Sequence, residues 1–218
     1  MGSTGLNLIL KSLPLLFEGL IDTVLIAGLS VIIGTLGGIL FGIVRVSKNK
    51  LIRCITRIYI ELFRAVPLLV WLFVFFFGLP VAFGLDISGS VTSIIVLSLW
   101  GITEIGEVVR GSIESVPKEQ VEAGKSIGLN QVNLYVFVII PQTIRRMIPP
   151  TINIYTRIIK TTSLTVLIGV TEVIKVGQQI IERTGEALII YSTLFVIYFL
   201  LCYPLSIWSK KLEEKWSN

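Results

Sequence analysis

The sequence predicts an all-α integral membrane protein of about five transmembrane helices, with one short cytoplasmic helix between two of them. Three observations carry this expectation. Hydrophobic residues fill 53% of the 218 positions and charged residues only 15%, against about 25% charged in water-soluble domains. Several apolar runs reach the roughly 20 residues that a helix needs to cross a bilayer. The net charge of +5 gathers at the ends of those runs, where it orients a membrane protein, rather than in a patch suited to nucleic acid. Residues 1–218 read as a single transmembrane domain.

The first 18 residues set Leu6, Leu10, Leu13 and Leu16 against Lys11, Ser12 and Glu18. They have neither a basic start nor a small-residue cleavage site, which argues against a signal peptide; a surface-lying amphipathic lead is expected over 1–18. Span one, Gly19 to Val44, is rich in glycine (Gly28, Gly34, Gly37, Gly38, Gly42), which lets a neighbouring helix come close. A basic loop follows, with Arg45, Lys48, Lys50, Arg53 and Arg57, and then span two, Tyr59 to Leu79. The loop Pro80 to Ser90 has no Lys or Arg.

Span three runs from Val91 to Arg110. A polar stretch, 111–133, comes next, and within it Lys118 to Ser126 is punctuated as a helix by Pro117 before and Gly128 after. A fourth apolar region, Leu134 to Val170, is interrupted by Pro141, Arg145, Arg146, Pro149, Pro150, Arg157 and Lys160. The Pro149-Pro150 pair is expected to break or kink its helix. After a mixed loop, Thr171 to Glu186, span five covers Ala187 to Trp208 and ends at Lys210-Lys211. The basic loops and the C-terminus then belong in the cytoplasm and the N-terminus outside.

Histidine is absent, and Cys54 and Cys202 are too far apart for a CxxC or metal-ligand pattern. Free thiols and no metal site are expected. Gly124-Lys125-Ser126 looks like the end of a phosphate-binding loop, G-x-x-x-x-G-K-[ST]. The first glycine of that motif would be residue 119, which is Glu119, and a carboxylate there would face the phosphates. No nucleotide or other cofactor is expected on this chain.

Polar groups inside a span are expensive and are functional candidates by default. Glu107 and Arg110 are three apart on a helix, as are Glu61 and Arg64, and each couple is expected to form an ion pair near the membrane edge. Glu104 follows the uncharged run Ile87 to Thr103 and needs a cation, from another helix or from a substrate. Asn153, Arg157 and Lys160 recur at helical spacing and make one polar stripe. An amide with two cations suits an α-carboxylate, and Glu104 suits a cationic side chain. Glu104, Asn153, Arg157 and Lys160 are therefore the candidate substrate-binding residues, for a basic amino acid such as arginine, lysine or histidine.

Glu122-Ala123-Gly124, then Gly128, Val138 and Ile140-Pro141, resemble the E-A-A-x-x-x-G-x9-I-x-L-P loop of permease subunits of ABC importers. The segments "ELFRAVPLLV" (Glu61 to Val70), "GEVVRGSIESVP" (Gly106 to Pro117) and "KTTSLTVLIGVTEV" (Lys160 to Val173) resemble blocks of the polar amino-acid branch of that family, the histidine, glutamine and arginine permeases. Together they cover about residues 17 to 210. Glu104 departs from the pattern, since the branch usually has an aromatic there. The resemblance implies a type I ABC importer permease fold in a bacterial-type cytoplasmic membrane. It also implies a pore of two permease subunits, expected to be a homodimer. Two cytoplasmic ATP-binding subunits would carry the ATP and Mg, and an extracytoplasmic amino-acid-binding protein would deliver substrate. By the same resemblance 111–133 is a cytoplasmic coupling loop, with Glu122 touching the ATPase, Ala123 and Gly124 permitting close packing and Gly128 making the turn. The chain itself would have no catalytic site. An ATP-independent transporter or channel is the alternative, opposed by the missing internal repeat. A membrane-embedded enzyme would need a nucleophile or metal motif that is not in the sequence.

Overall fold

Asn49 ends the first break in the chain, 46–49: its side chain accepts from Leu51 N at 2.9 Å and caps a new helix where a basic loop was expected. The computed structural model describes residues 2–216, with side chains from residue 5 onward. Met1, Ser217 and Asn218, and with them the outermost ends of the expected lead and domain, lie outside the described residues.

Helix α1, Gly2–Arg45, is 44 residues long, about 66 Å at 1.5 Å per residue. It takes in the 1–18 lead without interruption. Leu8 and Leu16 of the lead pack in a cluster with Val173, Val176, Ile190 and Leu194, so this segment stands in the helix bundle in line with span one. The apolar partners it finds there explain why it does not form a separate helix.

Helix α2, Lys50–Ala65, turns the expected basic loop into helix. Pro67 then lacks the N–H that would continue the ladder, and Val66 and Pro67 are both extended. The chain resumes as α3, Leu68–Phe73, a π turn over Val74–Gly78 and α4, Leu79–Phe83, bent by 101° from α2. Span two is thus a broken span.

Helix α5, Gly89–Glu114, is the central span. It lies against α1, whose Gly34, Gly38 and Gly42 bring the backbones together. A Cβ on Gly34 would come within 3.4 Å of the Gly101 Cα, one on Gly38 within 2.7 Å of the Ile105 Cβ, and one on Gly42 within 2.7 Å of the Gly106 carbonyl. Helix α6 is Lys118–Ser126, with the bounds that Pro117 and Gly128 foretell, and Gly128 has φ +83°, the left-handed region where glycine is at ease.

Helix α7, Gln131–Leu134, runs through a π turn, Tyr135–Ile139, into α8, Ile140–Thr161, and a 3-10 stretch, Thr162–Ile168. Of the two outcomes expected at Pro149-Pro150, a break or a kink, the break does not occur: both prolines lie inside α8. The missing N–H groups release only the carbonyls one turn back, at Arg145 and Arg146, both exposed residues. The Pro149 carbonyl itself accepts from Ser209 Oγ at 2.8 Å.

Helix α9, Val173–Thr184, occupies the stretch expected to be a loop and is bent by 53° from the segment before it. Its N-cap is Glu172, fully buried, which accepts from Ile174 N at 2.9 Å and Lys175 N at 3.1 Å. Thr23 Oγ1 and Tyr198 OH, each 3.3 Å away, tie the same carboxylate to α1 and to the last helix, α10, Ala187–Trp216. Among the described residues three helices are long and apolar enough to cross a membrane, or five if each bent pair counts as one span.

Candidate functional site

Glu104 lies midway along α5 with its side chain only 16% exposed, where a lone carboxylate would be costly. It is not alone. Arg157 of α8 donates to it at 2.8 Å, and Arg64 of α2 approaches within 3.6 Å. The Arg157 guanidinium also lies over the Trp100 ring, 4.9 Å from its centroid, a cation–π contact that fixes its orientation. Trp100 and Glu104 are four residues apart and share a face of α5. Three helices thus converge on one carboxylate.

The cation for Glu104 therefore comes from other helices. Arg64 turns to Glu104, and no ion pair joins it to Glu61 among the described residues, contrary to the expected Glu61–Arg64 couple. Arg64 is the last charged residue of α2, one turn beyond Glu61 and two residues before the break at Val66-Pro67. Glu107 and Arg110 do meet: Arg110 Nε donates to Glu107 at 3.1 Å. The pair is part of a larger cluster in which Glu107 also binds Arg45, and Arg110 also binds Glu114.

Asn153, Arg157 and Lys160 are all exposed along α8, yet they look into different spaces. Asn153 borders a cavity of about 320 Å³ shared with Arg145, Arg146, Glu213 and Trp216. Lys160 borders another of about 510 Å³, with Ser163, Tyr198, Cys202 and Ser206. Seven residues separate the two, about 10 Å of rise. The structure unites Glu104 with Arg157 and leaves Asn153 and Lys160 on either side of that pair.

The polar stretch 111–133 is a folded unit. Val116, Leu134 and Ile139 are buried together, with Val121, Leu129 and Val138 against them. Gly124 faces this small core: a Cβ there would come within 2.6 Å of Leu134 Cδ1. The glycine of Gly-Lys-Ser thus faces the chain's own packing, and the close approach at Gly124 is to the side chain of Leu134 of the same chain. Glu122 and Ala123 lie on the opposite, exposed face of α6, and Ile127 is 79% exposed beside them. Arg146 donates to Ser115 Oγ at 2.9 Å and so fastens the unit to α8.

Sequence reasoning missed Trp100, Arg45 and Glu172. Trp100 could have been found from its four-residue spacing to Glu104, and Glu172 from an acid placed just before a new helix. Arg45, read only as a loop cation, gave no such signal.

The chain matches the family described as "Binding-protein-dependent transport system inner membrane component" over residues 34–218. It is 33% identical to the "Probable amino-acid ABC transporter permease protein YckA" of Bacillus subtilis (strain 168), over 97% of this chain and 93% of that protein. It is also 33% identical to the "Glutamine transport system permease protein GlnP" of Escherichia coli (strain K12), over 94% of each. Among solved structures, one described as "Crystal structure of an amino acid ABC transporter with histidines" superposes with a TM-score of 0.88 at 28% identity, covering 95% of this chain and 96% of that one.

Proposed function

The chain belongs to the family of binding-protein-dependent transport system inner membrane components, and on that premise we propose that it forms the translocation path of an ATP-driven amino-acid importer. The exposed face of α6 carries the reading. A helix that packs Gly124 inward and presents Glu122, Ala123 and Ile127 outward is a rigid, partner-ready projection from a membrane bundle. Its partner is a separate ATP-binding subunit, two copies serving a pore of two permeases. A second copy of this chain is the expected second permease, and an extracytoplasmic binding protein supplies the substrate. In this reading the basic ends of the spans and the C-terminus face the cytoplasm of a bacterial-type membrane, and the N-terminus lies outside.

The substrate is a polar amino acid. The basic side chain suggested by Glu104 loses weight because Arg157 and Arg64 already hold that carboxylate. A cationic side chain would have to displace an arginine from Glu104, a competition that a neutral side chain does not face. A neutral polar amino acid fits this geometry better. Glutamine is the substrate named for one relative.

A gentle detergent pull-down of the tagged chain from its native membranes tests the proposal. The expected result is a co-purifying ATPase that is lost on Glu122→Arg, with the permease itself still folded. If no ATPase accompanies the unaltered chain, the importer reading fails.

A further inference from the structure

Helix α2 has three faces. Thr56, Ile60 and Phe63 are buried. Lys50, Arg53, Arg57, Glu61 and Arg64 form a charged stripe about 80° wide at 3.6 residues per turn. Next to it Leu51, Ile55 and Ile58 are 67%, 58% and 56% exposed, with exposed Cys54 between the two stripes. The charged stripe borders a cleft of about 700 Å³ closed by Arg45 of α1 and by Glu107, Arg110 and Glu114 of α5.

The charges in this cleft are unequally satisfied. Glu107 and Glu114 are held by Arg45 and Arg110, and Arg64 turns to Glu104. Lys50, Arg53 and Arg57 have no ion-pair partner among the described residues. Glu61, one turn further along the stripe, is the single carboxylate left to oppose them. Three free cations therefore sit where α1 leaves the apolar zone, flanked by an uncovered aliphatic stripe.

We propose that this cleft binds one anionic phospholipid, its phosphate held by Lys50, Arg53 and Arg57 and its acyl chains lying along Leu51, Ile55 and Ile58. The pairing of a cationic stripe with an adjacent aliphatic one, at the basic end of the spans, matches both halves of such a lipid. A zwitterionic lipid carries the same phosphate, but its head-group cation is repelled by the basic stripe. The inference rests on membrane placement and is independent of which amino acid is carried.

Native mass spectrometry of the full chain in mild detergent tests this, with dioleoyl phosphatidylglycerol and dioleoyl phosphatidylcholine as probes. The expected result is selective retention of phosphatidylglycerol. Each basic side chain near an anionic lipid surface contributes about fivefold. Changing Lys50, Arg53 and Arg57 together to Gln should thus lower that retention about a hundredfold, leaving phosphatidylcholine unchanged. Lys211→Gln with Lys215→Gln should not lower it. Equal phosphatidylglycerol retention by the triple variant overturns the proposal, as does displacement of the lipid by millimolar glycerol phosphate, which would show a site for free phosphate. A reading without these variants uses Cys54 labelled with bimane. Brominated phosphatidylglycerol should quench it more than brominated phosphatidylcholine, and equal quenching also overturns the proposal.

Discussion

Glu104 is a carboxylate in the middle of α5 that two arginines from other helices approach. Its place after a long uncharged run signalled that a cation must come. The partners are Arg64 and Arg157, 40 and 53 positions away, on two other helices. No local spacing encodes that meeting, so the sequence left two sources open. The network predicts how binding should respond. In the purified transporter, Glu104→Gln releases both arginines and should leave glutamine affinity within about threefold, while Arg157→Ala should weaken it tenfold or more, the worth of a charge-assisted hydrogen bond being about 1.5–3 kcal/mol. Isothermal titration with glutamine and arginine side by side checks this. A Glu104→Gln variant that loses only arginine would restore the basic-substrate reading.

Among the elements, legibility followed punctuation. Helix α6 was readable to the residue because proline opens it and glycine closes it, each for a local steric reason. The α2–α3 break was written in Pro67 but hidden by the apolar residues on both sides, which look like one continuous span. Helix α9 was hidden by its mixed charge, because its cap, Glu172, draws its partners from α1 and α10. The glycines of α1 were legible as a close-packing stripe, though their opposite number was not. Since a Cβ on Gly42 would approach the Gly106 carbonyl within 2.7 Å and the Val109 Cβ within 2.6 Å, backbone must give way there. Gly42→Val should cost about 1–3 kcal/mol or more, seen as a lower melting temperature of the detergent-solubilised chain. Gly28→Ala serves as the control, because a Cβ there meets nothing within 4 Å. Equal melting of the two variants would remove the close-packing argument.

At the scale of the whole molecule, the basic ends converge. Arg45, the start of α2, the cluster at the end of α5 and the cavity joining Arg145 to Glu213 all involve the ends of spans that carry Lys and Arg. The sequence foretold this gathering through charge bias alone, while the packing that accomplishes it involves residues far apart in the chain. The orientation that follows is testable with the two native thiols, since Cys54 is exposed and Cys202 is buried. A membrane-impermeant maleimide should label Cys54 in inside-out vesicles and leave it untouched in right-side-out ones. The reverse pattern would invert the proposed topology.

The right-angled elbow after Ala65 has a mechanical meaning as well. Measured from that elbow, α2 is a rod of about 24 Å whose near end bears Arg64 and whose far end bears Lys50. A swing of about 10° about the elbow would carry the far end some 4 Å and shift the Arg64 backbone by less than about 1 Å. The elbow thus sets a lever ratio: a given rotation about it would move the Lys50 end several times further than the Arg64 backbone beside Glu104.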